Sequence, residues 1–384
     1  MKKLIRITTI PLSLEKLLEN QLRFMNAYYE VTAVSSEGER LKAFGKQQGV
    51  KTVAVGLTRQ ITPLQDLKAL WQLFCLLKKE QPFIVHSHTP KAGTIGMLAA
   101  KLAGVPHRLH TVAGLPLLET TGNKRRLLDF VEKITYACAT KVYPNSNGLK
   151  SIIIAQNFCS PDKLKVIGNG SSNGIDTDFF SPQSVSEAEK ARLKAQLGIA
   201  EGDFVFVFVG RMVSDKGINE LTKAFVQLSA AHKNIKLILV GPLEKELDPL
   251  LPETENAILN TTTIISVGYQ NDVRPYFSVS DCLVFPSYRE GFPNVVMQAG
   301  AMGLPSVVSD INGCNEIIVP DENGMLIEPK SVNAIYNSMK RIFEDKDLYI
   351  RLKNNAREMI VSRYQQKLVW EAVLNEYKSL EVNV

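Results

Sequence analysis

Short apolar runs alternate with amphipathic stretches along this chain, and the alternation restarts after residue 181. In the first half, residues 5–10, 29–35, 52–56, 83–88, 109–112, 141–144 and 165–167 read as strands. Between them, residues 14–25, 63–79, 92–103 and 125–139 carry apolar side chains at helical spacing. The second half repeats the pattern with strands at 204–209, 236–240, 264–266, 282–285, 306–309 and 325–327, and helices at 219–231, 273–279 and 294–302. Strand–helix alternation of this kind argues for the α/β class, a parallel sheet with helices on both faces. A chain of 384 residues is too long for one ordinary core and suits two such domains. The expectation is two Rossmann-like, doubly wound domains, 1–182 and 183–365, with a linker in 181–203. A C-terminal helix, 366–384, is expected to pack back on the first domain. Ligands bind open α/β sheets at the carboxyl ends of the strands, so a central cleft faced by both sheets is the expected site.

Composition narrows the class. Residues 1–180 hold 24 Lys and Arg against 13 Asp and Glu, a net +11, while the remainder is net −5. A basic half joined to an acidic half suggests different partners for the two. The five cysteines are scattered, with no Cys-x-x-Cys pair, so neither a metal site nor a disulfide framework is expected. No apolar run approaches the ~18–20 residues that span a bilayer. Met1-Lys2-Lys3 is not read as a secretory leader, because Arg6 interrupts the apolar stretch and Glu15 follows it. The expected location is cytoplasmic.

Two segments carry the chemistry. Gly210-Arg211-Met212-Val213-Ser214-Asp215-Lys216-Gly217 directly follows the run 204–209. An Arg fork can clamp a phosphate and Lys adds a point charge, while the glycines permit tight turns. Glu290-Gly291-Phe292-Pro293-Asn294 follows the run 282–285, and Asn294 opens a helix. A helix N-terminus offers unpaired N–H groups and partial positive charge, which suit a diphosphate. Glu290 can accept hydrogen bonds from sugar hydroxyls, and Gln298 can bond a ribose hydroxyl. Together these groups can hold a sugar diphosphate.

The pattern Gly-Arg-x4-Lys-Gly, followed by Glu-Gly-x6-Gln-Ala-x-Ala-x-Gly-x-Pro, resembles the retaining glycosyltransferases of family four, which have the GT-B fold. Glu290–Pro305, with Asp310-Ile311-Asn312-Gly313-Cys314-Asn315-Glu316 after it, is most similar to bacterial enzymes of capsular and O-antigen polysaccharide synthesis. Residues 86–93 and 169–176 resemble segments of the same enzymes, so the likeness spans most of the chain. The resemblance implies that Gly210, Arg211 and Lys216 meet the donor diphosphate and Glu290 the donor sugar. It implies that Gly291, Phe292, Pro293, Asn294 and Val295 line the sugar and phosphate site, and that Tyr269 and Gln270 meet the nucleobase, with uridine favoured. Many members carry Glu where this chain has Gln298, which keeps hydrogen-bonding capacity and loses charge.

On the acceptor side the candidates are Ser13, His88 and Lys91. His88 ends a strand and can orient an acceptor hydroxyl; Lys91 opens the next helix and can bind an acceptor phosphate. His86 is assigned to the other side of that strand, in a structural role. Relatives often have His just before Gly114, where this chain has Ala113, so no general base is named. The resemblance implies a mechanism without one, in which the leaving phosphate takes the acceptor proton on the same face. Residues 120–126 read as a mobile loop whose Lys124-Arg125-Arg126 leads into an amphipathic helix, a pattern suited to an anionic membrane surface.

The leading expectation is a retaining hexosyltransferase. It would move a hexose or N-acetylhexosamine from a nucleotide-diphosphate sugar to a growing, lipid-linked glycan at the inner face of the plasma membrane. No metal, other cofactor or nucleic-acid partner is expected. The alternatives are a GT-B sugar-nucleotide epimerase and a non-catalytic sugar-nucleotide-binding subunit. A dehydrogenase is disfavoured, because no Gly-x-Gly-x-x-Gly links the first strand to its helix.

Overall fold

The computed structural model describes all residues except 116, 118, 119, 245, 247, 383 and 384. The chain divides into two units, Met1–Asn173 with Lys367–Val384, and Gly174–Gln366. The first contains β1 (Lys3–Ile7), α1 (Pro11–Leu17), α2 (Gln21–Met25), β2 (Glu30–Ser35), α3 (Gly38–Gln48), β3 (Lys51–Ala54), α4 (Pro63–Glu80), β4 (Ile84–Ser87), α5 (Pro90–Ala103), β5 (His107–Val112), α6 (Gly122–Cys138), β6 (Lys141–Pro144) and α7 (Asn147–Ala155). The second contains α8 (Glu187–Gln196), β7 (Phe204–Val209), α9 (Ile218–Ala231), β8 (Ile235–Val240), α10 (Pro252–Asn260), β9 (Ile264–Gly268), α11 (Arg274–Ser278), β10 (Cys282–Phe285), α12 (Asn294–Ala301), β11 (Ser306–Ser309), α13 (Cys314–Ile317), β12 (Gly324–Ile327), α14 (Val332–Glu344) and α15 (Lys346–Tyr364). The last helix, α16 (Gln366–Val382), joins the first unit from Lys367 onward.

The first unit is a six-stranded sheet in the order β3-β2-β1-β4-β5-β6, all strands parallel. Side chains alternate between its faces. Ile5, Ile7 and Val85 pack with α4, α5 and α6 on one side. Leu4, Ile84 and Leu109 pack with Leu14 and Leu22, Phe44 of α3, and Val373, Leu374 and Tyr377 of α16 on the other. Each fully buried Leu or Ile contributes roughly 1.5–3 kcal/mol over leaving it in water.

The second unit repeats the plan, with strand order β12-β11-β10-β7-β8-β9, again all parallel. Phe206 and Phe208, with Leu221, Phe225, Leu283 and Val307, lie in its single large core. In both sheets the winding direction reverses between the first strand and the fourth, at β1/β4 and at β7/β10. Loops leaving two such strands diverge to opposite faces and leave a crevice.

Several expectations need correction. The unit boundary falls at Asn173/Gly174 rather than at 182, because Ile175 and Phe180 pack on the second core. The expected linker at 181–203 holds α8, started by a capping box between Ser186 and Glu189. Residues 165–167 form no ladder; only an isolated bridge joins Leu164 to Val142. The amphipathic stretch 14–25 is two short helices, broken where Glu19 takes φ +33°. Residues 122–126 of the expected mobile loop are the first turns of α6.

Candidate active site

Because all strands of the second sheet are parallel, the loops after β7, β8, β9, β10 and β11 leave from one edge. Every residue expected on the donor side lies on these loops or on α12, which follows one of them. Lys216 lies in the short 3-10 turn Ser214–Lys216 after β7, and Glu290 in the loop after β10. Lys216 Nζ donates to Glu290 Oε1 at 2.5 Å. Ser287 Oγ donates to the same oxygen at 3.0 Å. Both partners thus hold one carboxylate oxygen, and Oε2 has no hydrogen bond to the described residues. The two side chains are 15% and 17% exposed, so the pair is shielded yet reachable.

Backbone contacts set this pair. Gly217 has φ +71°, and a Cβ there would lie 2.2 Å from the Pro286 carbonyl oxygen. Only glycine lets the turn after β7 touch the exit of β10. Tyr288 N donates to Asp215 O at 2.9 Å, and Arg289 pairs with Asp215 at 3.0 Å, lacing the same two loops. From the loop after β11, Asn312 Nδ2 donates to the carbonyls of Glu290 and Gly291 at 3.1 and 2.7 Å.

Arg211 sits differently. Its guanidinium pairs with Glu244, in the loop after β8, at 2.9 Å, and its side chain is 46% exposed. Gly210 faces Gly241 closely: a Cβ on Gly241 would lie 1.7 Å from Gly210 O. Phe292 is buried against Tyr364, with ring centroids 5.4 Å apart, and Pro293 is buried beside it. Asn294, exposed, begins α12, whose N-cap is Pro293 and whose first N–H groups receive no side-chain cap. Val295 packs against the core, and Gln298 is half-buried with no side-chain hydrogen bond to the described residues. Tyr269, 67% exposed, follows Gly268 at the sheet's edge strand. Gln270 donates to Val267 O at 2.8 Å. Gly300 lets α12 approach α15, since a Cβ there would meet Ile360 Cγ1 at 2.6 Å.

In the first unit, the loops leaving β1 and β4 at the winding reversal are joined by a 2.7 Å hydrogen bond between Thr9 and Thr89. Ser13 lies half-buried in α1, just past β1. Lys91 Nζ donates to both Asp66 carboxylate oxygens at 2.7 Å, so its charge is already paired. His88 is 3% exposed, and its Nε2 accepts from Arg6 Nε at 2.8 Å. His86 is not on the other side of the strand: residues two apart share a strand face, and the two imidazoles lie 4.2 Å apart. His86 bonds Tyr377 Oη at 2.5 Å and Thr111 Oγ1 at 2.7 Å, which fits the structural role. Burial and the Arg6 charge hold both imidazoles well below the usual histidine range. His110, on the opposite face, is pushed down to about 4 by burial and bonds Ser87.

Sequence reasoning passed over Ser287, Asn312, Arg6, Gln21 and Tyr377. For Arg6 there was a signal, a lone cation inside an apolar strand. Asn312 lies in the segment 310–316 that carries the resemblance, where it was given no role of its own; the others carry no local mark.

The site is thus a shielded cation–carboxylate pair and an uncapped helix N-terminus at the reversal point of a Rossmann-like sheet. That defines a protein of two doubly wound domains. The family model "Glycosyl transferases group 1" matches residues 189–359, and "Glycosyl transferase 4-like domain" matches residues 19–170. The chain is 31% identical to the capsular polysaccharide biosynthesis glycosyltransferase CapM of Staphylococcus aureus, over 98% of this chain and 97% of the relative. It is 32% identical to the Escherichia coli UDP-Gal:alpha-D-GlcNAc-diphosphoundecaprenol alpha-1,3-galactosyltransferase, over 85% and 83% of the two chains. The crystal structure of Anabaena Alr3699/HepE in complex with UDP superposes with a TM-score of 0.81 at 18% identity, over 99% and 100% of the two chains, which shows the shared fold. The chain belongs to the family-four glycosyltransferases of GT-B fold and is a glycosyltransferase.

Proposed function

We propose that this enzyme moves a hexose or N-acetylhexosamine from a UDP-sugar to a lipid-linked glycan, with retention of anomeric configuration, in cell-surface polysaccharide synthesis. The observation that carries the reading is the Lys216–Glu290 pair at the β7/β10 reversal, beside the uncapped start of α12. Lys216 and the α12 N–H groups oppose the charge that grows on the diphosphate as it leaves. Arg211, itself exposed, can leave half-buried Glu244 for phosphate at little cost, since pairs near the surface contribute about 0–1 kcal/mol. Glu290 has a free oxygen for sugar hydroxyls, and Gln298 an unspent amide for ribose. The bond from the anomeric carbon to the diphosphate breaks as the acceptor oxygen bonds to that carbon. The hydroxyl proton passes to the departing phosphate oxygen on the same face. Relatives named for diphosphoundecaprenol-linked acceptors support the substrate classes.

We propose further that the chemical step needs no divalent metal, the protein's own cations taking that role. Incubation of the chain with UDP-sugars and extracted lipid-linked oligosaccharide, with and without exhaustive chelation, tests both statements. The expected product is a glycoside of unchanged anomeric configuration, formed equally well in chelator. Inverted product overturns the mechanism, and loss restored by one metal overturns metal independence. An isomerised nucleotide sugar without acceptor identifies the epimerase alternative.

The partner surface proposed for the first unit is an anionic membrane, with the enzyme on its cytoplasmic side. No helix among the described residues is long and apolar enough to cross a membrane. Leu64, Leu67 and Trp71 of α4 and Leu127 and Phe130 of α6 are exposed, and α5 packs between these two helices. Lys124 and Arg126 are exposed on α6, while Arg125 pairs with Asp129 at 2.6 Å. Exposed apolar side chains flanked by cations suit an anionic interface, each cation contributing about 1 kcal/mol there. Changing Lys124, Arg125 and Arg126 to Glu is expected to cut co-sedimentation with anionic vesicles at least several-fold at low salt. Equal binding by the triple variant removes this patch from the surface, and wild-type protein that ignores anionic vesicles removes the surface itself.

A further inference from the structure

Among the described residues Arg6 is the one charged side chain in the largest fully buried groups, and its guanidinium has no carboxylate partner there. Its three hydrogen bonds go to neutral groups: Nε to His88 Nε2 at 2.8 Å, Nη1 to Tyr377 Oη at 3.1 Å, and Nη2 to Gln21 Oε1 at 2.6 Å. A guanidinium has five N–H donors, so two remain. Burying a cation is costly unless a counter-charge or a full set of hydrogen bonds compensates. Here neither does.

The direction of donation fixes the neighbours. Arg6 cannot accept, so His88 Nε2 must be the acceptor, and a neutral imidazole then carries its proton on Nδ1. That Nδ1–H is buried and has no partner among the described residues. The Tyr377 hydroxyl likewise accepts from Arg6, and it also bonds His86 Nδ1, whose ring bonds Thr111 through Nε2. His88 is therefore a donor without an acceptor, and it is unsuited to act as a base.

These groups line one small recess, a cavity of about 20 Å³ partly open to solvent, which includes Arg6, His88, Asn145 and Ser172. Asn145 Oδ1 and Ser172 Oγ are also buried without a partner among the described residues. The recess thus gathers a lone cation, an unspent imidazole N–H and an unspent hydroxyl, with one amide oxygen able to take a ligand's O–H. Donors converging from β1, β4 and the 171–173 segment suit a tetrahedral group, with oxygens in several directions, better than a planar carboxylate.

We propose that this recess is an oxyanion site, with Arg6 and the Nδ1–H of His88 as its donors and a phosphate group as its ligand. The site stands on its own geometry, and its failure would leave the transfer reading intact. The phosphate can be free inorganic phosphate or a phosphate of the acceptor.

The test uses the full chain carrying Lys216→Ala, which weakens phosphate binding in the second unit. Imidazole nitrogen NMR follows the five histidines, with His88 assigned by its loss in His88→Gln. Inorganic phosphate, or a soluble short-chain prenyl diphosphate sugar, is expected to move the His88 Nδ1–H signal and leave His232 in place. A response to the prenyl diphosphate alone assigns the site to the acceptor; a response to both assigns it to phosphate generally. Arg6→Gln is expected to weaken the response roughly 10- to 100-fold, as loss of a charged hydrogen-bond donor does. If Arg6→Gln does not fold, the response of the Arg6-containing chain decides. No movement of the His88 signal with either probe overturns the site, and an equal response to acetate at the same ionic strength overturns its assignment to phosphate.

Discussion

Replacing Lys216 by alanine is expected to lower turnover roughly 10²- to 10³-fold, the usual effect of removing one preorganised donor from a developing anion. Its ammonium is 15% exposed and held by Glu290 and Ser287, so it is positioned before any ligand arrives. A preorganised charge pays no reorganisation at the moment of reaction. Arg211→Ala is expected to cost less, about tenfold, because Arg211 is half-exposed and must first leave Glu244. Steady-state rates at saturating acceptor, with melting temperature as the fold control, compare the two. Lys216→Ala within twofold of wild type would remove Lys216 from the diphosphate site. Arg211→Ala falling further than Lys216→Ala would show that the exposed fork, not the shielded ammonium, carries the charge.

The strands were legible because buried parallel strands read as unbroken apolar runs. The expected bounds of β6, β7, β10 and β11 are those observed. The helix α8 was missed for the converse reason: it buries no residue, so its sequence shows no apolar stripe and reads as a charged linker. The common edge of the donor-side candidates was legible because a parallel sheet turns sequence order into spatial order. A motif directly after a strand must lie at the carboxyl edge, whatever its partners. The contacts that tune the site were not legible. Asn312 reaches Glu290 O across 22 positions, and Arg6 reaches Tyr377 across 371. No local pattern encodes such a pair; it exists only once two loops, or a strand and a distant helix, have docked. The mistaken face for His86 had a different cause, since strand period two already puts residues 84, 86 and 88 together.

The same docking makes Gly217 a sensitive position. Alanine there would have to keep φ near +71°, a left-handed conformation that costs an L-residue roughly 1–2 kcal/mol. It would also place a methyl 2.2 Å from a backbone oxygen of Pro286. That oxygen belongs to the exit of a central strand and cannot swing aside as a side-chain tip could. Relief requires separating the β7 turn from β10, and overpacking of this kind adds about 1–3 kcal/mol. Gly217→Ala should therefore destabilise the second unit by about 2–5 kcal/mol and lower its melting temperature by roughly 4–20 °C. The displacement falls on the turn that carries Lys216, so it also lengthens the contact between Lys216 and Glu290. Activity should fall by at least tenfold at temperatures where the variant remains folded, because misplacement by an ångström can cost about 10²-fold. Calorimetry and low-temperature turnover separate the two effects. A variant that melts with wild type would mean the loops part without strain. One that melts early yet turns over normally would mean the glycine serves stability alone, and the placement of Lys216 does not depend on it.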